Sequence, residues 1–280
     1  MSNRVPDFTV LGAKGFIGSR MAAHLRSQGM NCWTPERDDQ AIFSSPLGHV
    51  IYAIGLTADF RTRPFDTVEA HVCLLSKLLQ AGNFESLLFL SSTRVYTASD
   101  CTDESASLKI SAELDLYNLS KLMGESLCLH SGRSNVRIAR LSNVVGLRPD
   151  QDIFIDQLLS EGCRTGRVAL HTTLDSAKDY IHVDDLIALL KNIALHGERK
   201  IYNAASGETV SNGTIAQMMM EHAGIKTEVA SDAVRWNFVP INVSQAKKEF
   251  GFDPVSFETY FPPYITEFKL QFEKEKNDLS

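Results

Sequence analysis

Nine residues near the start of the chain, Val10-Leu-Gly-Ala-Lys-Gly-Phe-Ile-Gly18, constrain the fold more than any others. They place Gly12, Gly15 and Gly18 between an apolar segment, Phe8 to Leu11, and an amphipathic one, Phe16 to Ser27, so the glycines fall at a strand-to-helix turn. Glycine at the first position permits a tight turn, at the second lets the backbone approach a pyrophosphate, and at the third lets helix and strand pack closely. A helix beginning there presents the backbone N–H groups of Phe16, Ile17 and Gly18, with the positive end of its dipole, to an anion.

The pattern continues. Asn31 to Thr34 reads as a second strand, stopped by Pro35, and Val50 to Ile54, Leu87 to Ser91 and Val136 to Leu141 as further strands, with helices over Val68 to Ala81 and Tyr117 to His130. Alternating strands and helices predict an α/β fold, a doubly wound parallel sheet of the Rossmann type. Only about fifteen residues separate Pro35 from Val50, against roughly 30 for a crossover unit, so one crossover is missing or reduced to a loop. Beyond about residue 150 the spacing becomes irregular. Helices are predicted over Ile153 to Glu161, Asp185 to Leu195, Thr214 to Ala223 and Ser244 to Phe250, with short strands between. The expected organisation is a dinucleotide-binding core over 1–150 and a smaller C-terminal substrate lobe over 151–280, some of whose segments return to the core.

Composition narrows the partners. The 280 residues, 44% hydrophobic, can bury a full core. A balance of 28 Lys+Arg against 34 Asp+Glu, net charge -6, with no long basic run, argues against nucleic acid. Cys32, Cys73, Cys101, Cys128 and Cys163 form no CxxC pair and no metal-like spacing, so no metal site is expected and a reducing, cytoplasmic setting fits best. No apolar run approaches membrane-spanning length, and the polar N-terminus leaves no room for a secretory segment. Cys128 and the Met218-Met219-Met220 run are read as core.

Two constellations carry chemistry. Tyr117-Asn-Leu-Ser-Lys121 sets a phenol and an ammonium four residues apart on one helix face, where the cation favours the phenolate. Leu88-Phe-Leu-Ser-Ser-Thr-Arg-Val-Tyr96 ends a buried strand in hydroxyls at the sheet edge where α/β ligands bind, and Ser92 there can hydrogen-bond a reacting carbonyl or alcohol. At the end of the second strand, Glu36 suits the adenosine ribose of NAD whereas Arg37 suits the 2′-phosphate of NADP, so NAD is the expected cofactor with NADP as the alternative.

Taken in order, the glycine loop, Ser91-Ser92 and Tyr117/Lys121 resemble the extended short-chain dehydrogenase/reductase family, the nucleotide-sugar epimerases and dehydratases. The resemblance continues through Arg140-Leu-Ser-Asn-Val-Val-Gly146, Lys178-Asp-Tyr-Ile-His-Val-Asp-Asp185, Tyr202-Asn-Ala-Ala-Ser-Gly207 and Ser244-Gln-Ala-Lys-Lys-Glu-Phe-Gly251. It implies that Ser92, Tyr117 and Lys121 are catalytic, with Lys121 also on the nicotinamide ribose, and that Ala53, Ile54 and Gly55 lie along the cofactor. It further implies that Asn143 and Arg235 meet the diphosphate of a nucleotide-sugar substrate, that His182 is structural, and that Asp184 or Asp185 caps a helix. Family members are often homodimers. Family 4,6-dehydratases carry an acidic pair just after the strand-end hydroxyl; here Thr93 and Arg94 stand there instead. The leading expectation is therefore a nucleotide-sugar epimerase-type enzyme working through a keto-sugar intermediate. The alternatives are an NADPH-dependent reductase of a keto-sugar or other ketone, and a cofactor-sensing binding protein without turnover.

Overall fold

The structure, a computed structural model, describes residues 5–56, 59–97, 99–109, 115–147, 153–236 and 238–278. In chain order its elements are β1 (Phe8–Leu11), α1 (Phe16–Ser27), β2 (Cys32–Trp33), β3 (His49–Tyr52), α2 (Pro64–Val68), α3 (Leu74–Ala81), β4 (Ser86–Ser92), α4 (Leu116–His130), β5 (Val136–Leu141), β6 (Asn143–Val145) and α5 (Phe154–Thr165). There follow β7 (Arg167–Thr172), β8 (Ala177–His182), α6 (Val183–His196), β9 (Ile201–Ala204), β10 (Thr209–Ser211), α7 (Asn212–Ala223), β11 (Lys226–Val234), α8 (Ser244–Phe250) and α9 (Phe257–Asp278).

The chain forms two compact units. The first spans Met1–Ser142, Val183–Ala205 and Asn242–Asp253; the second spans Asn143–His182, Ser206–Ile241 and Pro254–Ser280. In the first unit a six-stranded parallel sheet runs in the order β2-β1-β3-β4-β5-β9, as the alternation of strands and helices predicts. β1 and β4 are buried along their whole length, the burial expected of parallel strands covered on both faces. Between β2 and β3 there is only a 3₁₀ turn, Gln40–Phe43, and β1 pairs with both, so the short stretch after Pro35 indeed carries no helical crossover. β3 ends at Tyr52, which leaves Ala53 to Gly55 as the loop beyond it.

In the second unit β10, β8 and β6 form one small sheet and β11 and β7 another. Its core is aromatic: Tyr180, Phe257, Tyr260, Phe261, Tyr264 and Phe268 are all buried in one cluster. The chain beyond Phe250, where the sequence reading placed no element, carries α9, the longest helix among the described residues, with Pro262 and Pro263 inside it. The helix forms nonetheless. Phe257, Tyr260, Phe261, Tyr264, Ile265 and Phe268 recur at helical spacing and are all buried, each worth about 1.5–3 kcal/mol, which together outweighs about 3 kcal/mol per interior proline.

Other boundaries moved for local reasons. The helix expected from Val68 begins at Pro64, the favoured place for proline in a first turn, and passes through a π-helical turn over Glu69–Cys73 before α3. α6 begins at Val183, so Asp184 and Asp185 lie in its first turn rather than capping it, where their charges complement the dipole. Cys128, Met218 and Met219 are buried, whereas Met220 is 46% exposed and is no part of the core.

The aromatic stripe of α9 generates a stability prediction. Phe261→Ala, at a fully buried site, is expected to cost about 3–5 kcal/mol and Met220→Ala less than about 0.5 kcal/mol. Urea denaturation of both variants checks it; equal losses would show that the stripe does not hold the helix.

Candidate active site

The glycine loop joins β1 to α1. Gly12 has φ +85°, and a Cβ there would lie 2.8 Å from the carbonyl carbon and oxygen of Ala53, so this residue lets the loop after β3 approach. A Cβ on Gly18 would lie 2.2 Å from the carbonyl oxygen of Gly12, so α1 could not pack so close with any other residue. Gly15 differs. It is the N-cap of α1, no side chain caps the helix, and a Cβ there would meet only the Gly12 carbonyl oxygen, at 3.4 Å. Phe16, Ile17 and Gly18 form the first turn above it.

Glu36 comes to this loop, where its carboxylate pairs with Lys14 at 2.5 Å. Both side chains are largely exposed, a placement in which an ion pair contributes little to stability. Arg37 is exposed.

On the other side of Ala53 and Ile54, a Cβ on Gly55 would lie 3.1 Å from His71 Nε2 and 3.4 Å from Lys121 Nζ. The loop beyond β3 is thus flanked by the glycine turn and by α4. Helix α4 presents Tyr117 and Lys121, both buried, toward the end of β4. Lys121 Nζ donates to the carbonyl of Leu90 at 2.8 Å and lies 5.9 Å from the centre of the Tyr117 ring.

Ser92, the last residue of β4, caps the 3₁₀ turn Thr93–Tyr96, its Oγ accepting the Arg94 N–H at 3.2 Å. With that acceptor role filled by the backbone, its own proton remains for another oxygen. The guanidinium of Arg94 lies 5.0 Å from the Tyr117 ring centre and its Nη2 donates to Asp115 Oδ2 at 2.8 Å. Asp115 is also the N-cap of α4, through Asn118 N–H. Ser92, Tyr117 and Lys121 are therefore brought to one end of β4.

Two groups here escaped the sequence reading. His71, fully buried in the π-helical turn, accepts the Leu56 N–H at Nε2 and bonds Ser120 Oγ through Nδ1 at 2.8 Å. Burial, reinforced by Lys121, pushes its pKa down to about 2, so the imidazole is neutral. Glu125, one turn beyond Lys121, receives both Nε and Nη2 of Arg140 and the hydroxyl of Ser91. A π turn in a helix is a frequent mark of a functional region, but nothing in residue types alone announced either partner. Burial pushes Lys121 down to about 7, with Glu125 opposing.

Asn143 and Arg235 belong to the second unit. Asn143 donates to the Asp179 carbonyl at 2.7 Å, and Arg235 pairs with Asp175 at 2.9 Å on exposed side chains. His182 packs its ring against Tyr260 at 5.1 Å. Among the described residues no cluster of His, Cys, Asp and Glu could hold a metal, and no helix is long and apolar enough to cross a membrane.

A dinucleotide-type glycine loop facing a buried Tyr-Lys helix defines the class of an extended short-chain dehydrogenase/reductase. Residues 8–205 match the family model of the NAD dependent epimerase/dehydratase family, and the chain belongs to that family. It is 29% identical over 112 residues to a dTDP-glucose 4,6-dehydratase from Streptomyces griseus, a match covering 39% of this chain and about a third, 34%, of that relative's length. Solved structures share the fold across nearly the whole chain. MoeE5, in complex with UDP-glucose and NAD, superposes with a TM-score of 0.78 at 23% identity, covering 98% of this chain and 100% of that one. RMD from Pseudomonas aeruginosa, complexed with NADPH, gives 0.78 at 21% identity over 94% and 99%.

The buried lysine generates a pH prediction. Its pKa in the folded chain lies below the ordinary 10.5, so between about pH 7 and 10.5 the folded state binds fewer protons than the unfolded one. Stability from this group must rise with pH across that window, because the cost of burying the charge is fully present below pH 7. The stability difference between wild type and Lys121→Met, measured by urea denaturation, is expected to shift in favour of wild type from pH 7 to 10. A flat difference would contradict the lowered pKa.

Proposed function

We propose that this chain is a nucleotide-sugar epimerase-type oxidoreductase that works through a keto-sugar intermediate with Ser92, Tyr117 and Lys121. The observation that carries the reading is the seating of Tyr117 at the end of β4 beside Lys121, with Gly55 and the glycine loop adjoining. Family membership supports NAD dependence, and the nucleotide sugars in the MoeE5 complexes, UDP-glucose and UDP-glucuronic acid, support the substrate class. The five cysteines, all unbridged, support a reducing, cytoplasmic setting.

The residues fit a dinucleotide. The space where a Cβ of Gly15 would stand, above an uncapped helix start, suits a pyrophosphate, Lys121 suits the nicotinamide ribose, and Glu36 suits the adenosine ribose. Bound there, NAD would supply a hydride acceptor that later returns the hydride. Tyr117 takes the proton of a sugar hydroxyl as the adjoining C–H bond breaks, which leaves a ketone. Lys121 lowers the cost of the phenolate, and Ser92 donates its hydroxyl proton to the reacting oxygen. The same proton, returned by Tyr117, completes the alcohol. On this reading Asn143 and Arg235 hold the substrate diphosphate.

Two outcomes test the reading. Gly15→Val is expected to fold, since its Cβ would meet only the Gly12 carbonyl oxygen at 3.4 Å, yet to lose at least about tenfold in NAD affinity by calorimetry; unchanged affinity in the folded variant would remove the loop from the cofactor site. Tyr117→Phe deletes one oxygen and is expected to lower turnover by about 10² to 10⁴ while leaving NAD affinity near wild type. More than about a tenth of wild-type turnover would refute its role. Net consumption of NADPH in proportion to product, in place of a cofactor returned unchanged, would identify the reductase instead.

A further inference from the structure

The side chain of Arg94 has no part in the mechanism above, yet it stands against the reacting phenol. Its backbone is fixed by the Ser92 cap, and its guanidinium lies 5.0 Å from the centre of the Tyr117 ring and 5.9 Å from that of Phe60. We propose that Arg94 binds a carboxylate carried on the sugar ring, so that the substrate is a nucleotide-linked uronic acid. This rests on Tyr117 marking the reacting carbon: a sugar whose hydroxyl meets Ser92 and Tyr117 has its neighbouring substituents within reach of Arg94.

Donor accounting carries the inference. Arg94 and Arg61 both turn to one carboxylate, Asp115, at 2.8 and 3.8 Å. The other Asp115 oxygen caps α4, while Asp59 and Asp66 are paired with Arg63. Lys121 lies beside Tyr117, Glu125 is bound to Arg140, and His71 is neutral. Around the phenol these charges nearly balance, and Arg94 shares its one carboxylate with Arg61. Of the Arg94 donors only Nη2 is engaged by a side chain. Among the described residues Nε and Nη1 carry no hydrogen bond, and the side chain is 41% exposed. The Tyr117 and Phe60 rings flank the guanidinium, whose Nη1 and second Nη2 proton form a donor edge suited to a planar carboxylate.

The oxyanion that such an edge selects could be a ring carboxylate or a phosphate of the nucleotide, and a matched pair of ligands separates them. UDP-glucuronate and UDP-glucose share the diphosphate and differ at one carbon. Calorimetry in saturating NAD is expected to show at least about tenfold tighter binding of the uronate by wild type. Arg94→Gln should reduce that preference below about threefold and leave the affinity for UDP-glucose near wild type. Arg94→Lys, which keeps the charge and loses the fork, should retain part of the preference, and it provides the test should the glutamine variant not fold. Equal affinities in wild type, undetectable binding of the uronate, or a preference unchanged in the variants would overturn the proposal, as would a parallel loss for both ligands, which assigns Arg94 to the diphosphate. The measurement reads binding, so it stands or falls independently of the turnover of Tyr117→Phe.

Discussion

The ion pair between Glu125 and Arg140 governs where everything else in the first unit can stand. Both side chains are 3% exposed, and with Ser91 they tie α4 to β4 and β5. Such a pair is no bargain in free energy, since both charges are desolvated, but removing either partner strands the other at a cost of about 3–5 kcal/mol. Its consequence is positional. Lys121 lies one turn before Glu125 and Tyr117 two turns, about 6 and 12 Å along the axis, so locking the glutamate fixes the height of both. At the other end of α4 Asp115 caps the helix and holds Arg94, which hydrogen-bonds Ser92 through its backbone. The helix is thus secured at both ends to the strand that supplies Ser92.

A neutral imidazole completes that arrangement. Nε2 of His71 accepts from Leu56, so Nδ1 carries the proton and donates to Ser120 Oγ, which donates in turn to the carbonyl of Tyr117 at 3.0 Å. This chain of bonds joins the loop beyond β3 to α4. A second proton on the ring would set an N–H against the Leu56 N–H and a cation beside Lys121, and both oppose it.

What the sequence displayed was local. The glycine turn, the buried strands and the Tyr117/Lys121 spacing are legible because each depends on residues within a few positions of one another. The Glu125–Arg140 pair spans 15 residues and His71–Ser120 spans 49, and no spacing rule links partners brought together only by sheet order. Helix α9, for which no element was expected, carries two interior prolines and is held by an aromatic stripe packed in one cluster with Tyr180 of β8. Some motif residues prove to be framework. Arg140 and Asn203 are buried, Arg140 donating to Tyr96 Oη, which in turn donates to Asn203, so those segments hold the first unit together.

Family membership leaves the reaction open, because function resides in the side chains set on a fold and not in the fold itself. The curated relative is named as a dTDP-glucose 4,6-dehydratase, and the family resemblance implies a carboxyl pair after the strand-end hydroxyl in enzymes of that kind. This chain offers Thr93, whose hydroxyl donates to the Leu141 carbonyl at 3.3 Å, and Arg94, whose guanidinium has donors only. Neither can act as the acid or the base. Oxidation and reduction at a single carbon need no such pair, only a hydroxyl donor, a phenol and a cation around one oxygen, and on the proposed reading Ser92, Tyr117 and Lys121 are those groups. On the proposed reading the replacement at positions 93 and 94 removes one branch of the chemistry open to the family and turns the same place in the site to recognising the sugar.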